Sequence, residues 1–276
     1  MKLKKNLSLT GIYIILIIGL FTFSIPYIYM IVSSTQNNAV ILGKELNFSF
    51  GPYFLDNLGE VQSKYNYLRV LMNTATITVI GTVISTFVTT LAGFVMAKYK
   101  FKGSKLLFNL VMISRMVPTF ALIIPIYFIM SKMGLTNTFA GVIIPSLASM
   151  NSVFIMRQYA MQIPNEMLEA PRIDGASEWT IFTKIVIPSL IPSIVTVGML
   201  TFMTYWNAYL IPLVMLKDNA KFTIPLIIQS MTQNMYDPLN YGALMALLAT
   251  SVIPIVLVYM YVQSKYKSTG MDSAIK

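Results

Sequence analysis

The sequence predicts an all-α, polytopic membrane protein with six transmembrane helices, and three observations carry that prediction. Hydrophobic residues make up 56% of the 276 and charged residues only 11%, too little charge to cover a soluble domain of this length. The uncharged residues gather into long runs: no Asp, Glu, Lys or Arg occurs in Asn6 to Gly43, Val70 to Ala97, Met133 to Met156, Ile185 to Leu216 or Pro238 to Ser264, and Leu106 to Ser131 holds only Arg115. Basic residues concentrate in alternate loops between these runs. One charge at the bilayer centre costs about 2.5–3.5 kcal/mol and a spanning helix needs about 20 apolar residues, so each run supplies one helix.

The first span, about 11–33, follows Lys2, Lys4 and Lys5. Its apolar core is too long for the h-region of a signal peptide and no A-x-A-like site follows, so it reads as an uncleaved helix. The polar stretch 34–68, with Gly43, Gly51, Pro52 and Gly59, reads equally as a connecting or disordered loop and as a surface for an external solute-binding protein. The second span, 70–97, carries two rows of small residues. Thr74, Thr78, Thr82, Thr86 and Thr90 recur at every fourth position, beside Gly81, Ser85, Thr89 and Gly93. Such rows let membrane helices approach closely, and threonine hydroxyls can also bond their own helix or line a wet path; packing is the preferred reading.

The third span, 106–130, contains Arg115, nine residues from Leu106 and so near mid-depth. An ionisable side chain there is functional or paired. None of the spans offers an acid, so its partner is backbone, water, a loop acid or another subunit, and a structural pairing is preferred over solute binding. The fourth span is 139–157. The fifth, 189–216, carries Tyr205, Trp206 and Asn207, which lie about 24 Å along the helix from Leu190, toward the outer leaflet. An uncharged aromatic beside an amide suits a sugar, the ring covering an apolar face and the amide bonding hydroxyls. An interfacial aromatic belt, with Asn207 bonding a neighbouring helix, reads the same residues equally well. The sixth span is 241–263, followed by a tail, 264–276.

With both termini inside, thirteen basic residues face the cytoplasm (Lys2, Lys4, Lys5, Lys98, Lys100, Lys102, Lys105, Arg157, Arg172, Lys184, Lys265, Lys267 and Lys276). Six face outward (Lys44, Lys64, Arg69, Lys132, Lys217 and Lys221). The positive-inside rule therefore places both termini in the cytoplasm, and the net charge of +10 reports topology rather than nucleic-acid binding. No cysteine or histidine is present, which removes disulfides, thiolate nucleophiles, the usual zinc and haem sites and any Ser-His-Asp arrangement. No Gly-x-x-x-x-Gly-Lys-Ser/Thr occurs, so the chain has no P-loop for ATP.

The cytoplasmic loop 159–187 is unlike the rest. Four of the eleven residues in "EAPRIDGASEW" are charged: Glu169, Arg172, Asp174 and Glu178. Pro164 opens a segment with Glu166 and Glu169, acids favoured in a helix's first turns. Asp174-Gly175 ends it, glycine accepting the left-handed conformation. Ser177-Glu178 starts a second segment, in which Trp179, Phe182, Ile185 and Val186 recur at helical spacing. The spacing predicts two short helices meeting at a sharp turn on the membrane's inner face. An interfacial amphipathic hairpin with no further role has the same pattern.

"EAPRIDGASEWTIFTKIVIP" resembles the EAA motif of permease subunits of ATP-binding-cassette importers. The extended form is similar to the carbohydrate-uptake, maltose-permease-like branch. "AKYKFKGSKLLF", "RMVPTFALIIPIYFIMSKMGLTNTFAGVI", "YWNAYLIPLVML" and "KYKSTGMDSAIK" resemble that branch too, so the likeness runs from about Tyr67 to the end. It implies a type I importer permease fold, one transmembrane domain over 1–276 with cytoplasmic coupling helices that dock on an ATPase. Glu169, Ala170, Asp174, Gly175 and Ala176 match the motif residue by residue. Pro171 stands where the family has a second alanine, so the first coupling helix either starts near Ala170, with proline in its tolerated first position, or is kinked.

The resemblance implies a cell (inner) membrane subunit importing a mono- or oligosaccharide by alternating access. The chain itself would bind no cofactor and no metal and catalyse nothing. ATP and Mg would sit on two ATPase partners, beside a second homologous permease and an extracytoplasmic solute-binding protein, with no nucleic-acid partner. Two alternatives remain: the same machine for a non-sugar solute, and a self-contained transporter driven by protons or sodium. The latter predicts acids or histidines within the spans and inverted repeats, and the spans contain neither residue type.

Overall fold

In the computed structural model, which describes residues 2–114, 116–233 and 239–268, each long apolar run is helical, and no strand occurs among the described residues. Helix α1 is Lys2–Ser33, followed by α2 (Asn38–Ile41), α3 (Phe54–Tyr65) and α4 (Tyr67–Lys98). Next come α5 (Ser104–Ser114), α6 (Thr119–Lys132), α7 (Phe139–Ile143), which runs into a 3₁₀ turn at Ile144–Ser146, and α8 (Met150–Met161). The charged loop forms α9 (Glu166–Ile173) and α10 (Glu178–Ile181). A π turn at Phe182–Val186 then leads to α11 (Ile187–Ser189). The remainder is α12 (Ile191–Trp206), α13 (Leu210–Met215), α14 (Ile224–Gln233) and α15 (Tyr241–Ser268).

Three helices are long and apolar enough to cross a bilayer: Gly11–Ser33, Tyr67–Lys98 and Tyr241–Ser264. Three further spans arise if bent pairs count as one each: α5 with α6, α7 with α8 (a 47° bend), and the Glu178–Ser189 stretch with α12 (80°). The first two bends correct the uninterrupted helices expected over 106–130 and 139–157, whereas the third falls where the fifth span was expected to begin, and prolines explain all three. Pro118 caps α6, Pro145 sits in the 3₁₀ turn after α7, and Pro188 and Pro192 flank Leu190. A proline removes an amide donor and disfavours helix in the residue before it. The fifth helix also ends at Trp206 rather than continuing to residue 216, Asn207 being its C-cap. Arg115 lies outside the described residues.

Outward-facing apolar side chains are what a bilayer requires. On α1, Leu20, Phe21 and Phe23 are all exposed, as are Val79 and Val83 on α4 and Leu257 on α15. In water such surfaces would aggregate; in hydrocarbon they are solvated.

The chain divides into two compact units, residues 1–68 with 227–254 and residues 69–226 with 255–276. In the first, the segment after α1 is ordered rather than loose. Gln36 donates its amide to the carbonyls of Asn47 and Ser49, and Asn57 donates to those of Ser34 and Gln36. Asn57 and Val61 are buried on one face of α3. A disordered loop is thereby excluded for this stretch.

The second unit carries the charged loop. There α4 packs so tightly that two glycines are obligatory. A Cβ on Gly81 would lie 2.7 Å from the Tyr205 ring, and one on Gly93 would lie 2.6 Å from Cβ of Met156. Ser85, in the same row, donates to the carbonyl of Leu147 at 2.7 Å. The small-residue row is therefore a packing seam, as the spacing suggests.

Candidate functional site

The charged loop begins with an eight-residue helix. Its acids Glu166 and Glu169 occupy the first turn, where the amide dipoles favour them. Pro171 lies inside this helix, which starts at Glu166, so the alternative that starts near Ala170 is excluded. The end is a Schellman motif. The Ala176 amide donates to the Pro171 carbonyl at 2.9 Å and the Gly175 amide to that of Arg172 at 3.1 Å, with Gly175 at φ +82°. Ser177 then caps α10, its hydroxyl accepting from the Thr180 amide at 3.2 Å.

The hairpin is anchored from beneath. Leu168, Ile181, Phe182 and Val186 are buried in a core shared with Phe94 of α4, Met156 and Ala160 of α8, and Val197 of α12. Phe94 and Phe182 stack at 5.7 Å between ring centroids. What remains outside is a mixed surface: Glu166, Glu169, Ala170, Ile173, Asp174 and Gly175 are all exposed, Ile173 to 86%. Of the motif residues, Ala176 is the one half-buried, packed on that core. A 3.6-residue period puts Glu166, Ala170 and Ile173 along one outward face.

Three residues that motif matching did not select meet at the turn. Arg172 donates from Nε to Oε1 of Glu178 at 2.8 Å and from Nη2 to Oε2 at 3.2 Å. The Tyr99 hydroxyl, just past α4, donates to Oε2 of Glu178 and accepts from Nη2 of Arg172 at 3.2 Å. The Arg172 guanidinium holds the Glu178 carboxyl below the usual carboxylate range, Tyr99 assisting. The Arg172 guanidinium is in turn pushed up, chiefly by Glu178. Burial and the neighbouring carboxylate push the Tyr99 phenol up. Opposite charges either side of an Asp-Gly turn were a usable signal for the Arg172–Glu178 pair. Nothing local pointed to Tyr99, which is 73 residues from Arg172.

Along the membrane-spanning part, the three residues proposed for the solute path separate. Tyr205 is buried, its hydroxyl donating to the carbonyl of Ile143 at 3.0 Å, and Trp206 is buried and stacked on Phe202 at 5.7 Å. Asn207 is exposed and donates to the Met203 carbonyl of its own helix at 2.9 Å, not to a neighbouring helix.

The threonine row tells more. Thr74 and Thr90 bond carbonyls one turn back. The hydroxyl oxygens of Thr78, Thr82 and Thr86 are buried with no hydrogen-bond partner among the described residues, as is that of Thr201 on α12. Thr82, Thr86 and Thr90 line a groove of about 340 Å³ together with Phe87, Ile187, Ile194 and Gly198. A buried hydroxyl left unpaired costs about 1–3 kcal/mol, so this part of α4 carries a polar cost that its packing offsets.

A family model described as "Binding-protein-dependent transport system inner membrane component" matches residues 89–265. The lactose transport system permease protein LacG of Rhizobium radiobacter is 29% identical over 274 residues, 99% of this chain and 98% of that protein. The arabinooligosaccharides transport system permease protein AraQ of Halalkalibacterium halodurans is 32% identical over 252 residues, 89% of this chain and 88% of that protein. Among solved structures, a bacterial ABC transporter involved in the import of the acidic polysaccharide alginate aligns with a TM-score of 0.80 at 22% identity, covering 93% of this chain and 96% of that one. At that identity the likeness is one of fold.

Proposed function

Since this chain belongs to the family of binding-protein-dependent transport system inner membrane components, we propose that it is the permease subunit that carries a mono- or oligosaccharide inward in an ATP-driven importer. The observation that carries the reading is the cytoplasmic hairpin: a capped, charged knob that shares one core with the inner ends of α4, α8 and α12. A rigid knob on that core is suited to receive a push from a soluble motor and pass it to the spans. Glu169, Ala170, Asp174 and Gly175 present the docking surface, with Ile173 as its apolar contact, and Ala176 seats the turn.

ATP and Mg belong to two partner ATPase subunits in this reading. A second, homologous permease completes the membrane part and an extracytoplasmic binding protein delivers the solute. Both termini lie in the cytoplasm. The sugar assignment draws on the relatives, whose names specify lactose and arabino-oligosaccharides. The exposed, neutral amide of Asn207 suits an uncharged polyol better than an ion.

The test is reconstitution. The chain is co-purified with its permease and ATPase partners into liposomes with the binding protein outside, and labelled mono- and oligosaccharides are offered. ATP-dependent accumulation of at least one sugar supports the proposal. Sodium- or proton-driven accumulation by the chain alone overturns it, and accumulation of a non-sugar solute only refutes the sugar assignment.

A further inference from the structure

The loop connects to α12 through the chain itself, by way of the π turn and α11. Its connection to α4 is different, because α4 ends at Lys98, long before the loop in sequence. That connection has two parts. One is apolar: Phe94 and Phe87 of α4 lie against Phe182 and Trp179 at centroid distances of 5.7–6.2 Å. Apolar contact is non-directional. The other is polar and directional, and it comes from two consecutive residues. Lys98 donates to the Ile163 carbonyl and, at 3.0 Å, to Oδ1 of Asn165, at the loop's entry. Tyr99 reaches the Arg172–Glu178 pair at the turn.

Resting on the importer reading, we propose that Tyr99 is a positioning residue for energy coupling. Its phenol ties the inner end of α4 to the turn between α9 and α10, so that a pull on the hairpin reaches α4 directly as well as α12 through the backbone. Glu178 accepts from three donors at once, Nε and Nη2 of Arg172 and the Tyr99 hydroxyl. Charge-assisted, bidentate geometry of this kind fixes orientation. An exposed ion pair by itself would hold weakly. The third donor brings in a different element, and its ring is seated edge-on against Phe94 at 5.5 Å. Beside the tie lies a cleft of about 390 Å³ lined by Leu91, Val95, Lys100, Phe101, Glu178 and Trp179. The tie stays closed throughout the transport cycle.

The experiment uses the assembled transporter in liposomes and measures ATP hydrolysed and solute accumulated together. Tyr99→Phe keeps the ring and removes the hydroxyl. The expected result is normal assembly, ATP hydrolysis within about twofold of the unmodified complex, and solute moved per ATP lower by about three- to tenfold. A merely structural role would lower assembly and both rates together, leaving the ratio unchanged; that outcome overturns the proposal. The exchange Arg172→Glu with Glu178→Arg rebuilds the pair and is expected to restore most of the ratio lost in either single variant. Failure to restore it also counts against the tie. The chain has no cysteine, so spin labels at Lys100→Cys and Lys184→Cys, attached to this chain before assembly, report the distance across the tie without background from its own residues. That distance is expected to hold within about 2 Å between nucleotide-free and ATP-bound complexes, the scale of small helix shifts. A change of about 5 Å or more, one helical turn, overturns the tie whatever the solute proves to be. Absence of uptake by the unmodified complex fails the importer reading, while the label distance judges the tie by itself.

Discussion

Arg172 and Glu178 face each other across the Gly175 turn in a bidentate pair, Nε to Oε1 at 2.8 Å and Nη2 to Oε2 at 3.2 Å. Six residues apart, they close the hairpin from the side while the Schellman bonds close it through the backbone. The angle between α9 and α10 is thus set twice, once by glycine's conformation and once by charge. Removing one of the two leaves the other in place, so the first predictions address them separately.

Gly175 sits at φ +82° with nothing within 4 Å of where a Cβ would be. A substitution there meets conformational resistance and no clash, on the order of 1–2 kcal/mol for an ordinary L residue and more for a β-branched one. Gly175→Val is expected to remain in the membrane, to weaken ATPase co-purification and to abolish uptake. Gly175→Asn, which accepts the left-handed region, is expected to retain most activity. Equal behaviour of the two variants would remove the turn from the mechanism.

Glu169→Lys reverses a charge on the exposed face of α9 without touching the core. It is expected to weaken ATPase capture at least tenfold while the melting temperature of the isolated chain in detergent stays constant. Pull-down with a tagged ATPase at several salt concentrations checks this. Undiminished capture together with full uptake would sink the coupling role.

The turn's charges predict a flat pH response. Glu178 is held below the ordinary carboxylate value of about 4, so its contribution is complete above that range and is lost only as pH falls through the lowered value. The Tyr99 phenol is raised above its usual value of about 10, so its donation persists until pH climbs through the raised value. Solute moved per ATP is therefore expected to be constant from about pH 5 to 9. A step within that window would assign coupling to a different group.

Thr86 has a buried, unpartnered hydroxyl on the groove. Thr86→Val keeps the shape and removes the oxygen. The isolated chain is expected to be as stable or more so, by up to about 1 kcal/mol, because an unsatisfied group disappears. Uptake is expected to slow several-fold if the hydroxyl meets the sugar. Asn207→Ala removes one ordinary hydrogen bond, about 0.5–1.5 kcal/mol, and is likewise expected to raise the half-saturating sugar concentration several-fold with assembly intact. Unchanged uptake kinetics in both variants would make these residues packing elements.

Impermeant labels test orientation. Tags before Met1 and after Lys276 are expected to be reachable only after the cells are opened. Labelling of either in intact cells would overturn the six-span count.

Much of this was legible in the sequence because hydropathy and turn chemistry are local. The apolar runs marked the helices, Gly175 and Ser177 marked where α9 stops and α10 begins, and Gly81, Ser85 and Gly93 marked a seam. The breaks within runs were less legible, since Pro118 and Pro145 interrupt helices without altering average hydrophobicity. Pro171 left two alternatives open, and the structure settles only the helix's start, at Glu166. The Tyr99 contact was beyond local reading, since tertiary pairs separated by 73 residues leave no periodicity. Asn207, expected within a helix, proved to end one.

The two glycines of α4 have a mechanical consequence. Gly81 and Gly93 are twelve positions apart, about 18 Å along the axis, and each is a notch filled by a different helix, Tyr205 from α12 and Met156 from α8. A rod keyed at two such points can neither slip lengthwise nor roll about its own axis without driving backbone into a ring or a methionine. Within this unit α4 therefore moves like a spar bolted to a frame: the frame tilts or stays, and the give has to come from the joints beyond the bolts, where α12 ends after Trp206.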